Sequence, residues 1–150
     1  MRSAIVDHVI DPAALTAEVA HDRNGATVLF LGTVRETNDG RSVTGIEYSA
    51  YRSMAERELA AIVAEATGEF GTPDIVVEHR VGTLEIGEVS VAIAVAHPHR
   101  GAAYDASRYV IEQIKRRVPI WKREHYVDGT RQWVGASTSA RPVTDAVETG

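Results

Sequence analysis

Two periods run through the apolar positions of this chain, and they divide it into short strands and a few helices. Asp11-Pro12 ahead of AALTAEVA predicts a short helix, with Asp11 as N-cap and Pro12 in the first turn. Gly25 opens ATVLFLGTVR, a Val-, Leu- and Phe-rich run that predicts a buried strand ending near Arg35. The polar segment ETNDGRS, residues 36–42, holds an Asp-Gly pair, and TGIEYSAY follows as a second strand. Together the two strands predict a hairpin with a long tip. Ser53 and Glu56 stand at capping-box spacing, and Leu59, Ile62, Val63, Ala66 and Phe70 continue at helical spacing. A helix over 53–70 follows, stopped by Gly71-Thr72-Pro73.

DIVVEHRVG and EVSVAIAVA predict two strands joined through Thr83 to Gly87, the second apolar enough for a central position. A helix is expected from Gly101 to Val118, because the residue before Pro119 is pushed out of helical geometry. IWKREHYV and RQWVG predict a last hairpin around Asp128-Gly129. The rhythm is ββαββαββ after a short N-terminal helix. Hairpins dominate, so the expected fold class is α+β, a mostly antiparallel sheet with helices packed on one face. No repeat or linker divides residues 1–136, which are expected to form a single domain. The Ser/Thr/Ala-rich tail 137–150 is expected to be mobile or laid on a partner.

Composition narrows the function classes. The chain has 150 residues, 44% of them hydrophobic and 25% charged, as in an ordinary globular domain. No apolar run approaches the roughly 18 residues of a membrane span. Asp7 and Asp11 interrupt what a signal peptide would need, so a cytoplasmic location is expected. There is no cysteine, which excludes disulfides, thiolate metal sites and a cysteine nucleophile. If the protein handles sulfur, another chain must carry it. The formal charge of -5 argues against a general nucleic-acid binder.

Against that acidic background, KRRVPIWKRE at 115–124 concentrates five basic residues and one acid. Lys115, Arg116 and Arg117 would complement the negative end of a helix dipole and need no further role. Lys122 and Arg123 return after the turn, where no dipole argument applies. The corner at Pro119 lets Lys115 and Lys122 face one pocket, with like charge lowering the pKa of one of them. Strand alternation puts Ile120, Lys122, Glu124 and Tyr126 on one face and Trp121, Arg123 and His125 on the other. Glu124 is then expected to orient Lys122.

In AHPHRG, between a strand and a helix start, His97 reads as structural. His99 beside Arg100 is the better candidate for proton transfer or phosphate contact. No third ligand accompanies the two histidines, so neither a metal nor a resident cofactor is expected. Gly32-Thr33-Val34-Arg35 sets an arginine at a strand end, and Trp121 and Trp133 read as core or interface aromatics.

GTVR at 32–35, HR at 99–100 and KRRVPIWKRE at 115–124 together resemble the catalytic subunit of molybdopterin synthase, over about residues 25 to 135. The spacing of sixteen residues from His99 to Lys115 and seven more to Lys122 fits as well. The resemblance implies an enzyme that inserts two sulfurs into cyclic pyranopterin monophosphate to make the molybdopterin dithiolene. It implies two partners, a second copy of the chain and a small ubiquitin-like carrier bearing a thiocarboxylate on a C-terminal Gly-Gly, in a heterotetramer. With Glu148-Thr149-Gly150 in place of a Gly-Gly tail, the chain is not expected to be the carrier itself.

By resemblance, Lys115 and Lys122 are the catalytic lysines. Thr33, Val34, Arg35, His99, Arg100, Arg123 and Glu124 join them in binding substrate, with Thr33 to Arg35 reaching across a dimer interface. One departure is Ser137, where some members of the family carry an arginine; the nearest here is Arg141. Two other classes stand beside the enzyme. One is an adaptor that docks a ubiquitin-like tail without chemistry; the other is an RNA-binding module, which the net charge disfavours.

Overall fold

The computed structural model describes residues 1–134. The expected tail 137–150, with Ser137 and Arg141, lies outside the described residues. The elements are β1 (Arg2–Val6), α1 (Pro12–Glu18), β2 (Ala26–Thr33), β3 (Thr37–Asn38), β4 (Arg41–Ala50) and α2 (Arg52–Phe70). They continue with β5 (Ile75–Arg80), β6 (Gly82–Glu85), β7 (Val89–His97), α3 (Arg100–Arg117), β8 (Ile120–Tyr126) and β9 (Arg131–Val134). One sheet runs β1-β5-β7-β2, and a second runs β3-β4-β8-β9 with β6 also on β4. Every pairing is antiparallel except β1 with β5.

The α+β class stands, and alternation along β7 explains its layering. Val91, Ile93 and Val95 point to one face, where they meet Leu59, Ile62 and Val63 of α2 and Ala106, Val110 and Ile114 of α3. Ala92, Ala94 and Ala96 point to the other, with Leu15 of α1 and Val19 just beyond it. The two long helices therefore share a face as expected, while the short α1 covers the opposite one. Asp11 caps α1 as expected, its Oδ1 accepting from the amides of Ala13 and Ala14 at 3.1 and 3.4 Å.

Several expectations are corrected. β2 and β4 do not form a hairpin. β2 pairs with β7 at the edge of the first sheet, while β4 turns back on the two-residue β3 and pairs with β6 and β8 in the second. The Asp-Gly turn does exist, at Asp39 (φ 48°) and Gly40 (φ 78°), but it joins β3 to β4. The capping box is not formed. α2 begins one residue earlier, with Tyr51 as an N-cap that makes no side-chain bond, and Glu56 pairs with Arg52 at 3.2 Å instead. Tyr51 is held there by its ring, edge-on to Trp121 with centroids 4.9 Å apart. β1 and β6 are additions, each fixed by a pairing partner distant in sequence.

Candidate active site

The second sheet and the end of α3 enclose two neighbouring clefts. The first, about 170 Å³, is lined by residues of β2, the β3–β4 hairpin, β7, α3 and β8, among them Thr33, Arg35, Asn38, Tyr48, Lys115 and Glu124. The second, about 250 Å³, is lined by His79, Ile114, Val118, Ile120 and Val134. Tyr48, Lys115 and Lys122 line both, so they form the wall between them. Lys115 and Lys122 are also the only lysines in the chain; every other cationic side chain of the basic set is arginine.

The local sequence explains this meeting. Ile114 packs α3 onto the core, which leaves Lys115 in the last turn free to reach past the sheet. Val118 is extended (φ −81°, ψ 124°) ahead of Pro119, and β8 starts at Ile120. In the register of β4 with β8, Tyr48 lies opposite Lys122 and Ile46 opposite Glu124. Lys122 and Glu124, two residues apart on one strand face, both line the first cleft. Gly32 lets the wall close, since a Cβ there would stand 2.7 Å from Val91 Cγ1.

Burial lowers the pKa of Lys115, and the charge of Lys122 lowers it further. Lys115 is exposed along its length because the clefts open to solvent, yet its ammonium loses enough water for desolvation to dominate. Burial likewise raises the Tyr48 phenol, with Glu124 adding to it and a hydrogen bond from Ser90 opposing it.

Glu124 does not pair with Lys122 among the described residues, which corrects the expected orienting role. The Glu124 carboxylate is 1% exposed. Its Oε1 accepts from Asn38 Nδ2 at 2.8 Å, and its Oε2 is buried without a partner. Asn38 Oδ1 in turn accepts from Arg35 Nη2 at 3.4 Å, so one amide links the arginine to the carboxylate.

Other expected site residues are placed elsewhere. Val34 is buried in a small core with Val43, Ile46 and Leu84. Arg123 lines neither cleft; its Nε donates to Glu47 Oε1 at 3.0 Å and its guanidinium lies over the Trp133 ring. His99 and Arg100 stand at the start of α3, sixteen residues from Lys115, which is about 24 Å along a helix. Arg117 faces α2 and pairs with Glu58 and Glu65 at 3.2 and 2.7 Å. His97 is structural as read: its Nε2 donates to the Phe70 carbonyl at 2.8 Å and its Nδ1 accepts from the His99 amide. Trp121 and Trp133 are buried, as expected of core aromatics. Among the described residues, no group of three or more His, Asp or Glu is placed to hold a metal, and no helix is long and apolar enough to cross a membrane.

Sequence reasoning missed His79, Asn38, Tyr48 and Ser90. His79 lies in β5 against the second cleft, edge-on to Tyr48 with centroids 5.4 Å apart. Its Nδ1 is 3.0 Å from the Arg80 carbonyl; a carbonyl only accepts, so Nδ1 carries the proton and Nε2 the lone pair. Burial pushes its pKa down to about 4, with Lys115 contributing, so it is neutral at physiological pH. The one signal in the sequence was a histidine between Glu78 and Arg80 at the polar end of a strand-like run.

The model of the MoaE protein family matches residues 5–117. The molybdopterin synthase catalytic subunit of Halalkalibacterium halodurans is 46% identical over 134 residues, covering 89% of this chain and 85% of that protein. This chain belongs to the MoaE family, the catalytic subunits of molybdopterin synthase. Its MoaE relative in Bacillus subtilis, also a molybdopterin synthase catalytic subunit, is 43% identical over 94% of this chain and 90% of its own. The MoaE fold extends to the crystal structure of molybdopterin synthase from Staphylococcus aureus. That structure has a TM-score of 0.83 and 40% identity, and the match covers 88% of this chain and 96% of the other.

Proposed function

We propose that this chain transfers sulfur to cyclic pyranopterin monophosphate, taking it from the C-terminal thiocarboxylate of a small ubiquitin-like carrier. The observation that carries the reading is the confinement of both lysines of the chain to the wall between two clefts. The absence of cysteine agrees with sulfur arriving on another protein. Addition of the thiocarboxylate sulfur at a side-chain carbon of the pterin expels an oxygen, and water then cleaves the resulting thioester, which leaves the sulfur on the pterin and releases the carrier with an ordinary C-terminal carboxylate. The Lys115 ammonium, partly desolvated and beside a second cation, donates the proton that this oxygen needs to leave. Lys122 and Arg35 hold the cyclic phosphate and offset the charge of substrate and carrier tail.

His99 and Arg100 reach such a site only from a second copy. β2 is the open edge of its sheet, and Leu29 and Leu31 on it are 38% and 37% exposed. Ala26 at the start of β2 pairs with His97, next to the His99–Arg100 corner, while Thr33 at its end lies at the first cleft. Two such edges paired antiparallel about a dyad bring the His99–Arg100 corner of one copy beside the Thr33–Arg35 end of the other.

The reconstituted reaction tests the reading. Dithiolene should form only when precursor and thiocarboxylated carrier are both supplied; carrier binding with no product would make the chain an adaptor. Mixing Lys115→Ala and Arg100→Ala proteins, each impaired alone, should restore activity through dimers that hold one intact site. Recovery failing in verified mixed dimers would place His99 and Arg100 outside the reaction.

A further inference from the structure

Glu124 is the one carboxylate of the first cleft, and only half of it is used. It is 1% exposed, and Asn38 Nδ2 holds its Oε1 at 2.8 Å. Oε2 is buried with no donor, and neither lysine pairs with it among the described residues. Burial raises the Tyr126 phenol first, then the charge of Glu124 and its closeness as a hydrogen-bond acceptor, but at bonding geometry the Tyr126 hydroxyl donates to Gln132 Oε1 at 3.4 Å and leaves Glu124 Oε2 without a partner. A buried carboxylate oxygen without a donor is unfavourable, and the three cations of the cleft, Arg35, Lys115 and Lys122, offset its charge without filling its lone pairs. The missing donor is expected to arrive with a ligand.

Asn38 is built to hold that oxygen in place. It sits on β3, directly before the Asp39-Gly40 turn whose positive φ values fix the hairpin. Its amide is fully oriented: Oδ1 accepts from Arg35 at 3.4 Å while Nδ2 donates to Glu124. With Oε1 tied, the carboxylate is restrained, and Glu124 brings to the lining of the first cleft an oxygen with no donor of its own.

We propose that Glu124 Oε2 accepts a hydrogen bond from a ring N–H of the substrate, at the 2-amino-4-oxo pyrimidine edge of a pterin, with Asn38 as the positioning residue. This rests on the reading of the cleft as a phosphopterin site and adds which group recognises the ring rather than the phosphate. Arg35 and the lysines, all cationic, suit the phosphate end; Glu124 is the acceptor that a ring donor requires. Asn38→Ala then loosens chiefly the ring end of the ligand, because Asn38 touches the phosphate end only through its 3.4 Å contact with Arg35.

The test is equilibrium binding to the full-length protein, using a phosphate-free pterin, its N3-methyl analogue and inorganic phosphate as separate probes. The pterin should bind Asn38→Ala about tenfold more weakly than wild type, the scale of one charge-assisted hydrogen bond. Inorganic phosphate should lose much less affinity than the pterin, since the two lysines of the cleft are untouched and Arg35 loses only one long contact. N3-methylation should weaken binding to wild type and cost little more in Asn38→Ala, a non-additivity that a purely structural role for Asn38 would not produce. In turnover, Asn38→Ala should raise KM for the precursor with kcat nearly retained. Equal binding of pterin and N3-methylpterin by wild type overturns the proposal without any variant having to fold. A wild-type protein that binds phosphate and no pterin overturns the phosphopterin reading as well, and so separates the two failures.

Discussion

His79 makes a prediction about stability that the geometry quantifies. Its folded pKa is about 4 against an ordinary 6.5, because burial beside Tyr48 and Lys115 disfavours the imidazolium. The unfolded chain therefore takes up a proton over a pH range in which the folded chain refuses it. The contribution is complete above the ordinary pKa and is lost as pH falls towards the folded one. Between about pH 7 and about pH 5 the loss from this single group is about 2 kcal/mol, at about 1.4 kcal/mol per pH unit of separation.

Urea unfolding of wild type and His79→Gln across that range reads it directly. The variant starts from a lower stability because it loses ring packing, but its curve should fall less steeply. The quantity that matters is the difference in slope. Glu18 and Glu65, lowered by their arginine partners, and Asp74, lowered against burial by hydrogen bonds from Asn24 and then Arg23, contribute equally to both proteins and cancel. His125, also lowered by burial, cancels in the same way. Parallel curves for the two proteins would refute a neutral, buried His79.

Further outcomes follow from the site. Lys122→Gln should raise the pKa of Lys115, since the variant removes a like charge that disfavours the ammonium; titration of ¹³C-labelled lysine, with a single resonance left in the variant, checks the direction. Arg117→Gln should lower stability by less than about 1 kcal/mol and leave turnover unchanged, because its pairs with Glu58 and Glu65 are half-exposed and face α2 rather than the clefts. Denaturant midpoints and the dithiolene assay read the two halves of that statement.

What the sequence made legible were features with a local cause. α3 and β8 follow from apolar periodicity and Pro119, and the meeting of Lys115 with Lys122 follows from the corner between them. The distribution of strands over two sheets has no local cause. β2 and β4 are neighbours in sequence with an Asp-Gly turn between them, yet each finds a better partner, β7 and β8, through side-chain fit across long separations. β1 was invisible for the same reason, because its parallel pairing with β5 is set seventy-odd positions away.

The site divides along the same line. Lys115, Lys122 and Glu124 declared themselves through charge density in one segment. Asn38 looked like an ordinary turn residue and His79 like a strand filler, since each gains its meaning only from the segment packed against it. His99 and Arg100 show the limit from the other side: the motif was visible, but α3 holds it about 24 Å from the lysines within one chain.

In the proposed reaction, Lys115 carries out a step of sulfur transfer at the wall between the clefts. A single-turnover reaction of precursor with thiocarboxylated carrier, on wild type and on Lys115→Ala with unchanged circular dichroism and unchanged carrier affinity, tests it most directly. Wild type should give dithiolene and the variant none on the same timescale. Dithiolene formed at the wild-type rate by Lys115→Ala would contradict it.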